Sequence, residues 1–144
     1  MYNRILLTLD TSELAEQAVP HAVALARNFD AELYVLSVIP VLESDSPATA
    51  EMGWDSEIAT TEEYLAGIEN ALSSEGLTCH TELRRGNVAE EILIFSEKCE
   101  ADVIVMSTHG RSGLGRWVYG SVTDRVLRYA DIPVFLVRVD EEEA

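Results

Sequence analysis

Residues 102–123 read Asp-Val-Ile-Val-Met-Ser-Thr-His-Gly-Arg-Ser-Gly-Leu-Gly-Arg-Trp-Val-Tyr-Gly-Ser-Val-Thr. The first six, residues 102–107, form a short apolar run of the kind that suits a strand buried on both faces. Gly110, Gly113, Gly115 and Gly120 then place half of the chain's eight glycines within eleven residues. Glycine lets backbone amides approach an anion closely. A helix is expected over 121–130, and its free N–H groups and dipole at Gly120-Ser121 would favour a phosphate. Between 107 and 130 lie Arg111, Arg116, Arg125 and Arg128 against a single acid, Asp124. A cationic island beside a glycine-rich turn suits a polyphosphate. The alternative is a loop shaped by glycines, with Arg125 and Arg128 paired to surface acids. Neither Gly-x4-Gly-Lys-Ser/Thr nor Gly-x-Gly-x2-Gly is present.

The rest of the chain sets this segment in a repeating pattern. Residues 4–9 form an apolar first strand ending at Asp10, and Asp10 with Glu13 has the spacing of a capping box. Leu14, Ala15, Ala18, Val19, Ala22, Val23 and Ala26 recur at helical spacing, with Pro20 expected to kink that helix. Residues 31–39 read as a second strand and 40–56, with Pro40, Pro47 and Gly53, as a long loop. Ile58, Tyr64, Leu65, Ile68, Ala71 and Leu72 mark an amphipathic helix over 57–74. A third strand is expected over 77–84, a helix over 88–99 capped by Asn87, and a fifth strand over 132–139. Alternating strands and helices imply a single-domain α/β fold spanning 1–140, with an acidic tail at 141–144. The sheet is an open, five-stranded, parallel one with helices on both faces. Ligands of such sheets bind beyond the carboxyl ends of strands where the strand order reverses. The ends of strand 1 and strand 4 are the candidates.

Composition narrows the partners. The chain has 144 residues, 47% apolar, with 26 acidic and 10 basic side chains and a net charge of −16. That charge disfavours nucleic acid and anionic membranes as partners, since both are polyanions. No apolar run reaches the ~20 residues of a membrane span. No secretory signal is legible at the N-terminus, which points to the cytoplasm. Nine of the ten basic residues are Arg, with Lys98 the one lysine. Acid excess with scarce lysine fits a cytoplasm of molar salt, where the Debye length falls to ~3 Å, and hence a halophile. Cys79 and Cys99 read as buried free thiols. His109 is read as a loop residue, and no Ser-His-Asp arrangement is legible.

With these residues in place, the chain resembles the nucleotide-binding branch of the universal stress protein family. That branch carries Gly-x2-Gly-x9-Gly-Ser/Thr after strand 4. Here Gly110, Gly120 and Ser121 match its second half, and Ser107 stands where the first glycine is expected. The strand ending in Asp10 and the closing Pro-Val strand are also similar. The resemblance implies a Rossmann-like sheet of order 3-2-1-4-5 and a site for ATP or AMP with Mg²⁺ or Mn²⁺. Asp10 would face the ribose or the phosphate-held metal, with Thr8 and Leu9 bordering the pocket and Val38 touching adenine. Met106 and Ser107 would line the base and ribose side, and Gly110, Gly120, Ser121 and Val122 would hold the phosphates. Arg111 joins this set from its charge and position. The family also suggests a homodimer through strand 132–139. The expected role is a nucleotide-dependent regulatory module in a stress response. The alternatives are an interaction dimer with an empty pocket and a slow ATP hydrolase. A response-regulator receiver is disfavoured, because it needs clustered acids and a lysine at the end of strand 5.

Overall fold

The computed structural model describes residues 1–41, 47–108 and 115–139, with side chains described outside 47–54 and 115–119. Strands β1 (Arg4–Thr8), β2 (Glu32–Pro40), β3 (Cys79–Gly86), β4 (Val103–Ser107) and β5 (Val134–Val137) alternate with helices α1 (Val19–Phe29), α2 (Pro47–Ser74), α3 (Val88–Lys98) and α4 (Gly115–Tyr129). All four strand pairings are parallel, and the order is β3-β2-β1-β4-β5. This is the order expected from the sequence. The chain therefore reverses its direction of travel across the sheet between β1 and β4.

Side-chain alternation on the strands builds two cores. Ile5, Leu7, Leu33, Val35, Val103 and Val105 pack against Ala18, Ala22 and Ala26 of α1 and its preceding turn, and against Leu65 and Leu72 of α2. Leu6, Leu36, Ile104 and Met106 pack on the other face against Ile92 and Phe95 of α3 and Val122 and Val126 of α4. Helices thus cover both faces, and small alanines let α1 lie close to the sheet. Burying each of Ile5, Leu6 and Leu7 stabilises the fold by roughly 1.5–3 kcal/mol.

The structure departs from the sequence expectations in four places. First, the helix expected from residue 14 with a kink at Pro20 is instead a 3₁₀ turn (Ala15–Ala18) followed by α1, with Pro20 in its first turn. Proline is well placed there, since its missing N–H would have no intrahelical acceptor. Second, residues 47–56, expected as loop, belong to α2, and Pro47 is its first residue. Residues 42–46 lie outside the described residues. Third, α4 starts at Gly115, so Gly120 and Ser121 sit inside the helix rather than opening it. Fourth, Asp10 and Glu13 form no capping box. The Asp10 carboxylate instead accepts from the Ser12 backbone N–H at 3.1 Å and from the Ser12 hydroxyl at 2.5 Å. Strand boundaries shift by one to two residues, the fifth strand shortening from 132–139 to Val134–Val137. The acidic tail falls outside the described residues.

Asn87 does cap α3 as expected, its side-chain oxygen accepting from the Glu90 N–H at 3.0 Å. Replacing Asn87 with Ala should cost about 1 kcal/mol and lower Tm by roughly 3 °C, whereas Asn87→Asp should be near neutral. Thermal unfolding of the two variants beside wild type checks this.

Candidate functional site

A reversal of strand order opens a crevice at the carboxyl ends of the flanking strands, here β1 and β4, and four of the sequence-derived residues lie on the α3 and α4 side of the sheet there. Thr8 ends β1 in register with Leu36 of β2, and Leu7 pairs with Val105 of β4. Met106 therefore lies beside Thr8. Thr8 follows Leu6 by two residues and shares its face, the side of α3 and α4. Val38 of β2 and Val122 of α4 pack against the same core. Thr8, Val38, Met106 and Val122 thus form one wall.

Leu9 and Ser107 lie elsewhere. The Leu9 side chain is buried in the opposite core, under α1 and α2. Its backbone is fully engaged, the N–H donating to the Leu36 carbonyl at 2.9 Å and the carbonyl accepting from the Ser37 hydroxyl at 2.6 Å. Ser107 is completely buried at the end of β4, with 0% of its surface exposed. Beyond it the Thr108 N–H donates to the Val137 carbonyl at 3.0 Å, and the Thr108 hydroxyl accepts from the Val139 N–H at 3.2 Å. Gly120 and Ser121 are exposed on α4. Gly110 and Arg111 lie outside the described residues, as does His109.

The turn after β1 holds features the sequence reading missed. Ser12 takes hydrogen bonds from neither strand nor sheet but relays Asp10 to the next element. Its hydroxyl donates to Asp10 and accepts from the Ala15 N–H at 3.1 Å. Between them Thr11 adopts φ 72°, a left-handed conformation that a β-branched residue reaches only under constraint. The Asp-x-Ser spacing was the legible signal, because short polar side chains close such turns on their own backbone. Tyr64 of α2 reaches the same region. Burial first, and then the carboxylates of Glu16 and Asp10, raise its hydroxyl above the ordinary tyrosine range.

The cationic island is smaller than the sequence implied. Arg125 pairs with Glu90 of α3 at 3.3 Å, and Arg128 pairs with Asp124 one helical turn away at 3.2 Å. These are exposed ion pairs, the alternative the sequence left open, and each contributes little to stability. The Arg116 side chain is not described. Among the described residues no three His, Cys, Asp or Glu side chains gather to hold a metal. Two cavities of about 240 and 150 Å³ lie at the amino ends of the strands, beside Arg27, Glu75 and Thr78 and beside Ser96, Tyr129 and Ile132. They are at the opposite end of the sheet from Thr8.

The sequence model of the Universal stress protein family matches residues 1–138. The chain belongs to that family. It is 37% identical to a universal stress protein of Methanocaldococcus jannaschii, over 99% of this chain and 86% of the relative. Among solved structures, the hypothetical protein MJ0577, whose biochemical function was assigned from its structure, superposes with a TM-score of 0.88. It is 28% identical and covers 98% of this chain and 99% of its own. A universal stress protein from Arabidopsis thaliana, solved with AMP bound, shares the fold with a TM-score of 0.72, at 18% identity over 98% and 94% of the two chains. No helix among the described residues of this universal stress protein is long and apolar enough to cross a membrane.

Two chemical expectations follow. Glycine adopts φ 72° without the steric conflict threonine meets, so Thr11→Gly should leave Tm unchanged or raise it by a few degrees, despite a more flexible unfolded chain. Cys79 is pushed up to about 11 by burial and the nearby Glu69 carboxylate, and burial raises Cys99 as well. At pH 8 only about one Cys79 in a thousand is then a thiolate. A thiol reagent such as Ellman's should leave both cysteines of the native protein unmodified at pH 8 and titrate two thiols in guanidinium.

Proposed function

We propose that this universal stress protein binds an adenine nucleotide, ATP or AMP, across the carboxyl ends of β1 and β4. In this reading it acts as a nucleotide-dependent regulatory module in a stress response. The observation that carries the reading is Gly120. It sits in the interior of α4, where glycine costs a helix about 1 kcal/mol relative to alanine. A Cβ placed there would meet nothing within 4 Å, and its φ is not in the left-handed range. Nothing among the described residues requires a glycine at this position. A ligand passing close to the helix backbone beside Ser121 would account for one. The AMP held by the Arabidopsis relative supports the same ligand class.

Within this reading Asp10 faces the ribose, or a Mg²⁺ or Mn²⁺ ion carried by the phosphates. Thr8 and Val38 border the base with Met106 beside them, while Leu9, its side chain in the opposite core, and the fully buried Ser107 back the site from behind. Gly110, Arg111, Gly120, Ser121 and Val122 hold the phosphates. Because Gly120 and Ser121 lie inside α4, their N–H groups serve the helix. They offer close approach and one hydroxyl, while the free amides belong to the first turn from Gly115. A metal at Asp10 would take its remaining ligands from the phosphates, since no group of three His, Cys, Asp or Glu side chains gathers among the described residues. Binding is the activity proposed, with slow ATP hydrolysis the alternative. The reading further takes residues 1–140 as one domain with a tail at 141–144. It places the protein in the cytoplasm of a high-salt cell and pairs two copies through the outer edge of β5, which ends the sheet.

The test is calorimetric titration of ATP, ADP and AMP into ligand-free protein in multi-molar KCl with Mg²⁺. Gly120→Ala should raise Tm by a few degrees and yet weaken ATP binding at least tenfold. Gly67→Ala is the control: Gly67 is equally exposed and unhindered in α2, so it should raise Tm and leave binding unchanged. Absence of heat with every nucleotide would sink the nucleotide reading and leave the interaction dimer as the better one.

A further inference from the structure

The two cavities at the amino ends of the strands differ in charge. The larger, about 240 Å³, has Arg27 3.7 Å from Glu75 in its lining, so its charges answer one another. The smaller, about 150 Å³, lies between the C-terminal ends of α3 and α4, and no residue lining it is basic. Its floor is apolar, formed by Leu93, Ala101 and Ile132. The buried Ser96 hydroxyl beside them already donates to the Leu93 carbonyl at 2.7 Å. Tyr129 stands at the rim, and at 61% exposure it is the most exposed aromatic ring among the described residues. Glu97, Glu100 and Asp131 complete the lining. Glu100 pairs with Arg4 at 3.4 Å, whereas Glu97 and Asp131 have no ion-pair partner among the described residues. These acids stand where the backbone is already negative. Helix α3 ends at Lys98 and α4 at Tyr129, and the last carbonyls of each have no intrahelical donor. An acid at a helix C-terminus opposes the dipole, and here two such ends share one cavity.

We infer that the cavity between the ends of α3 and α4 receives one arginine side chain from a partner protein. Size comes first. Pockets for drug-sized ligands measure ~300 Å³ or more, so a cavity half as large suits a single long side chain rather than a cofactor. Sign comes second. Three carboxylates and two helix C-termini favour a cation, and attraction inside a cavity is screened less than attraction on the open surface. Shape comes third. A bare inorganic ion would leave the apolar floor and the ring unused. An arginine lays its aliphatic stem against Leu93, Ala101 and Ile132. Its planar head stacks on the Tyr129 ring and forks its N–H groups to Asp131 or Glu97. Tyrosine and arginine are also the residues that most often anchor protein interfaces. The cavity lies at the far end of the sheet from Thr8, so this docking is independent of nucleotide binding.

The experiment follows the backbone amide resonances of the isotope-labelled full chain as acetyl-Gly-Arg-Gly-amide is added. The same peptide with lysine, and with citrulline as the uncharged isostere, serves as comparison. The arginine peptide should shift Ser96, Ala101, Tyr129 and Ile132 along one saturating curve. The lysine peptide should bind about threefold more weakly, for want of a stacking plane, and the citrulline peptide should not bind. Tyr129→Ala should weaken the arginine peptide about threefold or more, Tyr129→Phe should bind as wild type does, and Asp131→Asn should bind more weakly. Both positions are exposed, so the three variants should melt within about 2 °C of wild type. Absence of saturation, with shifts scattered over acids elsewhere on the surface, would overturn the inference in favour of general attraction to a chain of charge −16. Equal binding of the citrulline peptide, or unchanged binding by Tyr129→Ala, would also overturn it. Movement of the same resonances with protein concentration alone would assign the cavity to a second copy of this chain and overturn the partner reading.

Discussion

The fold depends on β1 being closed on four sides. It hydrogen-bonds β2 on one edge and β4 on the other. Its Ile5 and Leu7 are sealed by α1 and α2, and its Leu6 by α3 and α4. A strand with no free edge and no wet face can carry only apolar side chains along its length. The first position where that demand relaxes is its carboxyl end. Thr8 and Asp10 are where polar chemistry begins, and the reversal of strand order there leaves room above them. The candidate site is thus a consequence of how the central strand is buried.

Much of this was legible in the sequence, for reasons that can be named. Apolar runs bounded by turn residues located all five strands, and alternation of strand and helix left few topologies open. Three of the four departures share one cause, the position of a glycine or proline relative to a helix end. Pro20 and Pro47 are both at helix starts, where proline is favourable. Gly115 and Gly120 lie within α4, where glycine is unfavourable but was retained. The two kinds of error differ in meaning. The prolines are local rules applied at the wrong position. The glycine is a local rule that the protein breaks, and breaches of that kind concentrate at functional sites.

Charge shows a similar contrast. The sequence placed four arginines near the glycine-rich segment, and linear spacing suggested a shared anion. Folding sets Arg125 against Glu90 of a neighbouring helix and Arg128 against its own Asp124. In a chain with 26 acids, an arginine on an exposed helix is seldom far from a carboxylate. Local charge density along the sequence therefore overstates local potential. The buried polar groups left without a partner among the described residues are a sharper guide, because such burial is rare in native proteins.

One contact at the base of β1 bears on how the chain assembles in time. The Asp102 carboxylate accepts from the backbone N–H groups of Asn3 and Arg4 at 2.8 and 2.9 Å, across separations of 99 and 98 residues. The strand synthesised first thus waits for its last clasp until most of the chain has been made. At ~5–20 residues per second that interval is on the order of ten seconds on the ribosome. Throughout it, the β4 edge of the central strand has no native neighbour. A nascent chain of this topology is exposed to mispairing at its amino end for longer than at any other part, and its folding rate is governed by a closure that spans nearly the whole polymer.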